Sequence, residues 1–394
     1  MTAQDRASDA PAGISLENWL SPPYSRWSFQ HVDDFVPTTL ITRGDGPVAR
    51  FRRAGASVAD ISVTVSDGQA STVGAVMAAT ATDGWAVAHR GCLVAEEYLD
   101  GMTAESRHLV FSVSKSLVGA VVGVLHAAGA IDLDAAITSF VPALADSGYA
   151  GASVRHLLDM RSGIAFREDY SDPAAEIHLL DQAMGWAPRT SPTAPATMRD
   201  FLLTLQQKSP HGGPFEYRSC ETDVLGWVCE VAAGQPMPDL MSECLWSRIG
   251  AEYDATIAVD PAGTGFFDGG VNAALLDLVR FGALFLHDGV SLTGDQVVPA
   301  AWIADTLAGG PDSRQAFAAN PDDTDLPGGM YRNQVWIPNP GSDVVLCLGM
   351  CGQMIYVNRA TDTIAAKVSA QPHSHEPHML DTLRAFDAVA HELS

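Results

Sequence analysis

Apolar and polar positions alternate differently along three stretches of this chain. Residues 85–89 and 92–98 are two short β-prone runs on either side of Arg90-Gly91, a spacing that predicts a hairpin. From 112 to 128 the chain is apolar with small residues throughout, which predicts a buried helix. Residues 131–142 read as loop and turn, and helical patterns dominate from 153 to about 244, with 198–206 and 223–233 as examples. Near the C-terminus, 344–348, 354–357 and 363–369 are β-prone runs separated by turn residues, the pattern of an antiparallel meander. Leu380, Leu383, Phe386, Val389 and Leu393 then recur at three- and four-residue spacings, predicting an amphipathic helix over 378–393.

Strands towards both ends with helices between them predict an α/β fold, an antiparallel sheet flanked by helices with a mainly helical second domain inserted. The expected division is a sheet domain from 1–135 and 265–394 and an inserted helical domain over 136–264. Composition agrees with a globular chain: of 394 residues, 47% are hydrophobic and 18% charged. The net charge of −24 repels phosphate backbones and anionic lipid, so neither nucleic acid nor a membrane surface is an expected partner. Six cysteines without zinc-type spacing read as reduced core residues. The first 27 residues lack the basic leader and apolar run of a signal peptide, and the apolar segment 117–130 is too short to span a bilayer, so a cytoplasmic location is expected.

The chemistry enters at the start of the predicted buried helix. Ser112 and Lys115 are three apart there, so both side chains stack on one helical face. A lysine on an apolar helix must lose its proton or find an anion; desolvated and neutral, it would accept the serine proton. Ser-x-x-Lys occurs by chance in many chains, and the bland alternative is a capping serine with a snorkelling lysine. The position after a hairpin, where the serine amide is free to face an oxyanion, favours catalysis.

Ser112-Val113-Ser114-Lys115, then Gly129 to Asp134, then Val154 to Ile164 follow one another in the order and spacing of the serine β-lactamase and esterase superfamily, which the chain resembles. Within it the chain is similar to the nylon-oligomer amidases that cleave 6-aminohexanoate dimer, through segments such as Asn18-Trp19, Glu168 to Pro173, Gly185-Trp186, Thr222 to Leu225 and Gly352-Gln353. The resemblance implies that Ser112 is acylated, with Lys115 as base and Tyr217, in Tyr217-Arg218-Ser219, as proton shuttle. Ser219 replaces the usual asparagine of that motif. Cys347-Leu348-Gly349 replaces Lys-Thr-Gly, so the cation that grips a penicillin carboxylate is missing. The backbone amides of Ser112 and Met350 are the implied oxyanion hole. Tyr170, Asp181, Trp186, Ser219 and Asp268 are implied substrate contacts, Tyr170 towards the scissile amide and Asp181 towards a substrate ammonium; Asp268 stands where those amidases more often carry Asn or His.

The expected activity is therefore hydrolysis of a small linear amide or short-chain ester through a Ser112 acyl-enzyme. The alternatives are a carboxylesterase or acyltransferase with little amidase activity, or a binding module that keeps the fold without turnover. No metal and no organic cofactor is expected, although His373, His375 and His378 have a metal-like spacing. Cys351 lies close to the implied oxyanion strand, but no histidine motif partners it. The resemblance further implies a homodimer.

Overall fold

The computed structural model describes residues 10–55, 57–320, 326–341, 343–372 and 376–394. Among these, the strands form one eight-stranded, one four-stranded and one two-stranded sheet. The large sheet runs in the order Met330–Arg332, Val335–Ile337, Val344–Gly349, Gln353–Asn358, Thr363–Ser369, Thr82–His89, Cys92–Tyr98 and Arg52–Arg53. Every pair is antiparallel except the last, where Arg52 lies beside Cys92 in a parallel register. The expected hairpin at Arg90-Gly91 and the C-terminal meander are thus both present, and the two termini join where Thr363–Ser369 pairs with Thr82–His89.

These central strands are buried on both faces, so successive residues feed two different cores. Val345, Cys347, Ile355, Val357, Ala366, Val368 and Ala86 belong to the larger core, which holds the helices Val113–Ala127 and Leu275–Leu286. Leu346, Met354, Tyr356, Ala365, Trp85 and Val87 point the other way, into a smaller core capped by the C-terminal helix Glu376–Glu392 through Phe386 and Val389. The C-terminal helix runs two residues further towards the N-terminus than its apolar spacing predicts.

The four-stranded sheet, Thr38–Ile41, Ala255–Ala258, Val271–Ala274 and Arg107–Leu109, does not show in the sequence pattern. Its strands are only three or four residues long, too short for an alternation to be recognised. The stretch read as loop at 131–142 contains a short helix, Ile137–Phe140, and the helix read from 223 begins at Ser219. In the helix Val113–Ala127, small residues allow close approach: a Cβ on Gly119 would lie 2.4 Å from the carbonyl of Asn333, and one on Gly123 would lie 2.6 Å from the Trp302 ring. No helix among the described residues is long and apolar enough to cross a membrane.

Candidate active site

Ser112 stands at the N-terminus of the helix Val113–Ala127, following Phe111, which is held at φ +44°. A left-handed aromatic residue is strained, and the surrounding contacts hold it: Phe111 packs edge-on against Phe29, and the neighbouring Val110 N–H donates to the Val271 carbonyl at 2.9 Å. The Ser112 side chain caps nothing. Instead Lys115 Nζ donates to Ser112 Oγ at 2.8 Å, and Lys115 is only 1% exposed, so the snorkelling alternative does not describe it. The same ammonium reaches Ser219 Oγ at 2.9 Å, the Asp268 carbonyl at 3.0 Å and Asp268 Oδ2 at 3.3 Å.

Burial alone predicts a neutral lysine, and the resting site differs. Burial pushes Lys115 down, but its contact with Tyr217 and the charges of Asp268 and Glu168 outweigh it and raise the lysine above its ordinary value, which favours the ammonium as the resting form. Tyr217 lies across the lysine, its ring centroid 5.0 Å from Nζ, and is stacked on Trp336 at 5.5 Å. Burial raises the phenol, against the opposing pull of Lys115 and an interaction with Ser112. The segment bearing Tyr217 and Ser219 is fixed between them by buried Arg218, which pairs with Glu216 and Glu221 and donates to the Ser162 carbonyl at 2.8 Å.

Sequence reasoning missed Glu168 as a site residue, although it lies in one of the segments that carry the resemblance. Its carboxylate accepts the Ser219 N–H at 2.9 Å and the Ser219 hydroxyl at 2.8 Å, so the serine that replaces the usual asparagine relays between Lys115 and an acid. Asp223, from another of those segments, is also built into the site and was likewise not marked by its spacing. Fully buried, it accepts the N–H groups of Phe267 and Asp268 at 3.2 Å each, and burial and the charge of Asp268 raise it well above the carboxylate range.

Ser112, Tyr217, Ser219, Asp268, Tyr170, Asp181, Trp186 and Met350 all border one cleft of about 900 Å³. Glu17, Glu168, Asp169 and Glu216 add further carboxylates to its lining, and the wall cation Arg167 is already paired with Asp172 and Glu176. Asp181 is pushed up to about 8 by burial and then by Asp268 and Glu168. Tyr170 is partly exposed, its ring edge-on to His178 at 6.3 Å. Trp186 is buried edge-on to Phe266 at 4.6 Å and Trp19 at 5.2 Å, so the N-terminal arm forms part of the wall. Cys351 borders the cleft too, but burial pushes its thiol up to about 12, which makes it a poor nucleophile. His373 and His375 lie outside the described residues, and among the described residues no group of histidine, cysteine and acidic side chains is arranged to hold a metal.

A family model described as Beta-lactamase matches residues 68–390. The chain belongs to the Beta-lactamase family. It is 35% identical over 388 residues to a 6-aminohexanoate-dimer hydrolase of Paenarthrobacter ureafaciens, a match covering 95% of each chain. A solved structure from Bacillus anthracis, provisionally named a 6-aminohexanoate-dimer hydrolase, superposes with a TM-score of 0.88 at 27% identity, covering 97% of both chains. EstCE1, described as a hydrolase with promiscuous acyltransferase activity, shares the fold with a TM-score of 0.61 at 16% identity, over 81% of this chain and 98% of its own. The β-lactamase-like fold and the resemblance to the nylon-oligomer amidases therefore both hold. The family model begins after the N-terminal arm, whereas the two 6-aminohexanoate-dimer hydrolase matches extend over nearly the whole chain.

Proposed function

We propose that this protein is a serine hydrolase that cleaves small linear amides, and short-chain esters with them, through a Ser112 acyl-enzyme. The observation that carries the reading is the buried Lys115 Nζ at 2.8 Å from the Oγ of Ser112, which borders an open cleft. Hydrolysis begins as Ser112 Oγ attacks the acyl carbonyl and its proton passes to Lys115, which must first have given up its own. Tyr217, packed across Lys115 and interacting with both side chains, gives its proton to the departing amine or alcohol and takes the Ser112 proton from Lys115 in its place, so the lysine is again basic. The amides of Ser112 and Met350 receive the oxyanion, and water then releases the acid by the same route.

The acid lining supports a cationic substrate. An ammonium held beside Asp181 lies within reach of Asp268 and Glu168, the two carboxylates that hold the proton on Lys115, and by offsetting their charge its binding favours the basic lysine. An amino-terminated oligoamide such as 6-aminohexanoate dimer has that charge, and the 35% identical relative carries that substrate in its name. A net charge of −24 disfavours a nucleic acid or an anionic membrane as partner. The test is incubation of the purified protein with a fluorophosphonate and, separately, with 6-aminohexanoate dimer. Mass spectrometry should find the label on Ser112, and chromatography should find free 6-aminohexanoate; no label and no product would remove the reading.

A further inference from the structure

The turn that carries Met350 has an uncommon backbone and a polar floor. Met350–Gly352 joins the strands Val344–Gly349 and Gln353–Asn358, with Cys351 at φ +61° and Gly352 at φ +87°. A non-glycine residue in this region persists only where its neighbours over-determine it. Here the Cys351 carbonyl accepts from Ser369 Oγ at 2.6 Å, from the Gln371 N–H at 3.2 Å and from Gln353 Nε2 at 3.4 Å. Gln353 Nε2 also reaches the Met350 carbonyl at 3.2 Å, while Gln353 Oε1 accepts the Ser369 N–H at 3.0 Å.

Beneath them lies Lys367, fully buried in the middle of the strand Thr363–Ser369 and with no part in the acylation chemistry. Its Nζ donates to Ser369 Oγ at 3.1 Å, to the Gly352 carbonyl at 3.2 Å and to the Thr80 carbonyl at 3.5 Å. Because the Ser369 proton is committed to Cys351, all three partners accept, and the lysine nitrogen offers two donors when neutral and three when protonated. No other residue type supplies three donors at one point there. The choice is costly for the fold: burial pushes Lys367 down to about 7, opposed by the charge of Asp83. A Cβ on Gly352 would stand 2.4 Å from Ser369 Oγ and 3.0 Å from Lys367 Nζ, so turn and floor are closely fitted.

We propose that Lys367, acting through Ser369 and Gln353, is a positioning residue for the oxyanion hole, holding the Met350–Gly352 turn so that the Met350 amide faces the carbonyl attacked by Ser112. The inference rests on the proposed roles of Ser112 and Met350 and gives Lys367 no contact with substrate. Lys367→Met keeps the stem and removes the donors. Ser369→Ala removes one hydroxyl and leaves the lysine, and it decides the matter if Lys367→Met fails to fold. Both are compared with wild type on a nitrophenyl ester and its thionoester, whose sulfur is a poor acceptor for oxyanion-hole donors. Misplacing a donor costs less than deleting one, so kcat on the ester should fall about 10- to 100-fold with KM nearly unchanged, and the ester-to-thionoester rate ratio should shrink with it. Ser369→Thr, which restores the hydroxyl, should recover the ratio. A fall in kcat with the ratio unchanged, or a Ser369→Ala variant with wild-type kcat and ratio, overturns the positioning role. Fluorophosphonate labelling separates this from the underlying reading: a wild-type protein unlabelled at Ser112 defeats both, whereas labelled Ser112 with an unmoved ratio defeats the role of Lys367 alone.

Discussion

Asp268→Asn is the substitution that most directly tests how Lys115 is held in its resting charge. Asparagine has the same shape, and the backbone carbonyl of residue 268 still accepts from Lys115, so the change is one of charge. At 3.3 Å and an effective dielectric of about 20, the attraction between Lys115 and Asp268 is worth up to about 5 kcal/mol before desolvation is subtracted. Part of that is returned, because Glu168 and Asp223 are both raised, first by burial and further by the charge of Asp268, and they ionise more readily once it is gone. The net effect should be to lower the Lys115 pKa by about 1–3. The basic form of the lysine appears above its pKa, so lowering that pKa moves the ascending limb of the rate profile towards neutral pH. The assay is kcat/KM for a neutral nitrophenyl ester across about pH 6 to 10, which reports the free enzyme and avoids any ammonium in the substrate. The rate at neutral pH should rise by about tenfold for every pH unit that the limb moves, as long as it is still ascending. A limb that stays in place, or moves to higher pH, would refute the idea that these anions hold Lys115 protonated and that its deprotonation precedes attack.

Ser112→Ala should abolish turnover and covalent labelling with little loss of stability, since the Ser112 hydroxyl caps no helix N–H; thermal melting and mass spectrometry check both halves. Lys115→Arg, permanently charged, should lose activity by orders of magnitude, and near-normal turnover would end the general-base role. Tyr217→Phe should slow amide cleavage more than ester cleavage, because an amine leaves only when protonated; equal losses would instead assign the phenol to activation of Ser112. Asp181, pushed up to about 8, is mostly neutral below that pH in the empty cleft and becomes an anion above it. The preference for an ammonium substrate over its N-acetylated counterpart, read as a ratio of kcat/KM, should therefore rise as pH passes through about 8, and Asp181→Asn should flatten that rise.

Local pattern was enough to read the helix behind Ser112, the hairpin at Arg90-Gly91 and the C-terminal meander. The helix shows as a continuous apolar run of small residues and the strands as β-prone runs between turn residues, and burial against any partner enforces such runs. That Ser112 and Lys115 stand together was legible from their spacing, three residues apart on one helical face. What the lysine meets was not: Ser219 lies 104 positions away and Asp268 lies 153 away, and Glu168 reaches the site through a contact with Ser219 spanning 51 residues. No local spacing marks such partners, and short strands such as Ala255–Ala258 leave no alternation to follow. The charge of Lys115 shows the limit most clearly. From its apolar helix it follows only that the lysine must lose its proton or find an anion, because local sequence shows burial and not the partner. Only the packed structure decides, by bringing Tyr217 as a hydrogen-bond partner and two carboxylates from distant segments close enough for their combined effect to exceed the cost of desolvation.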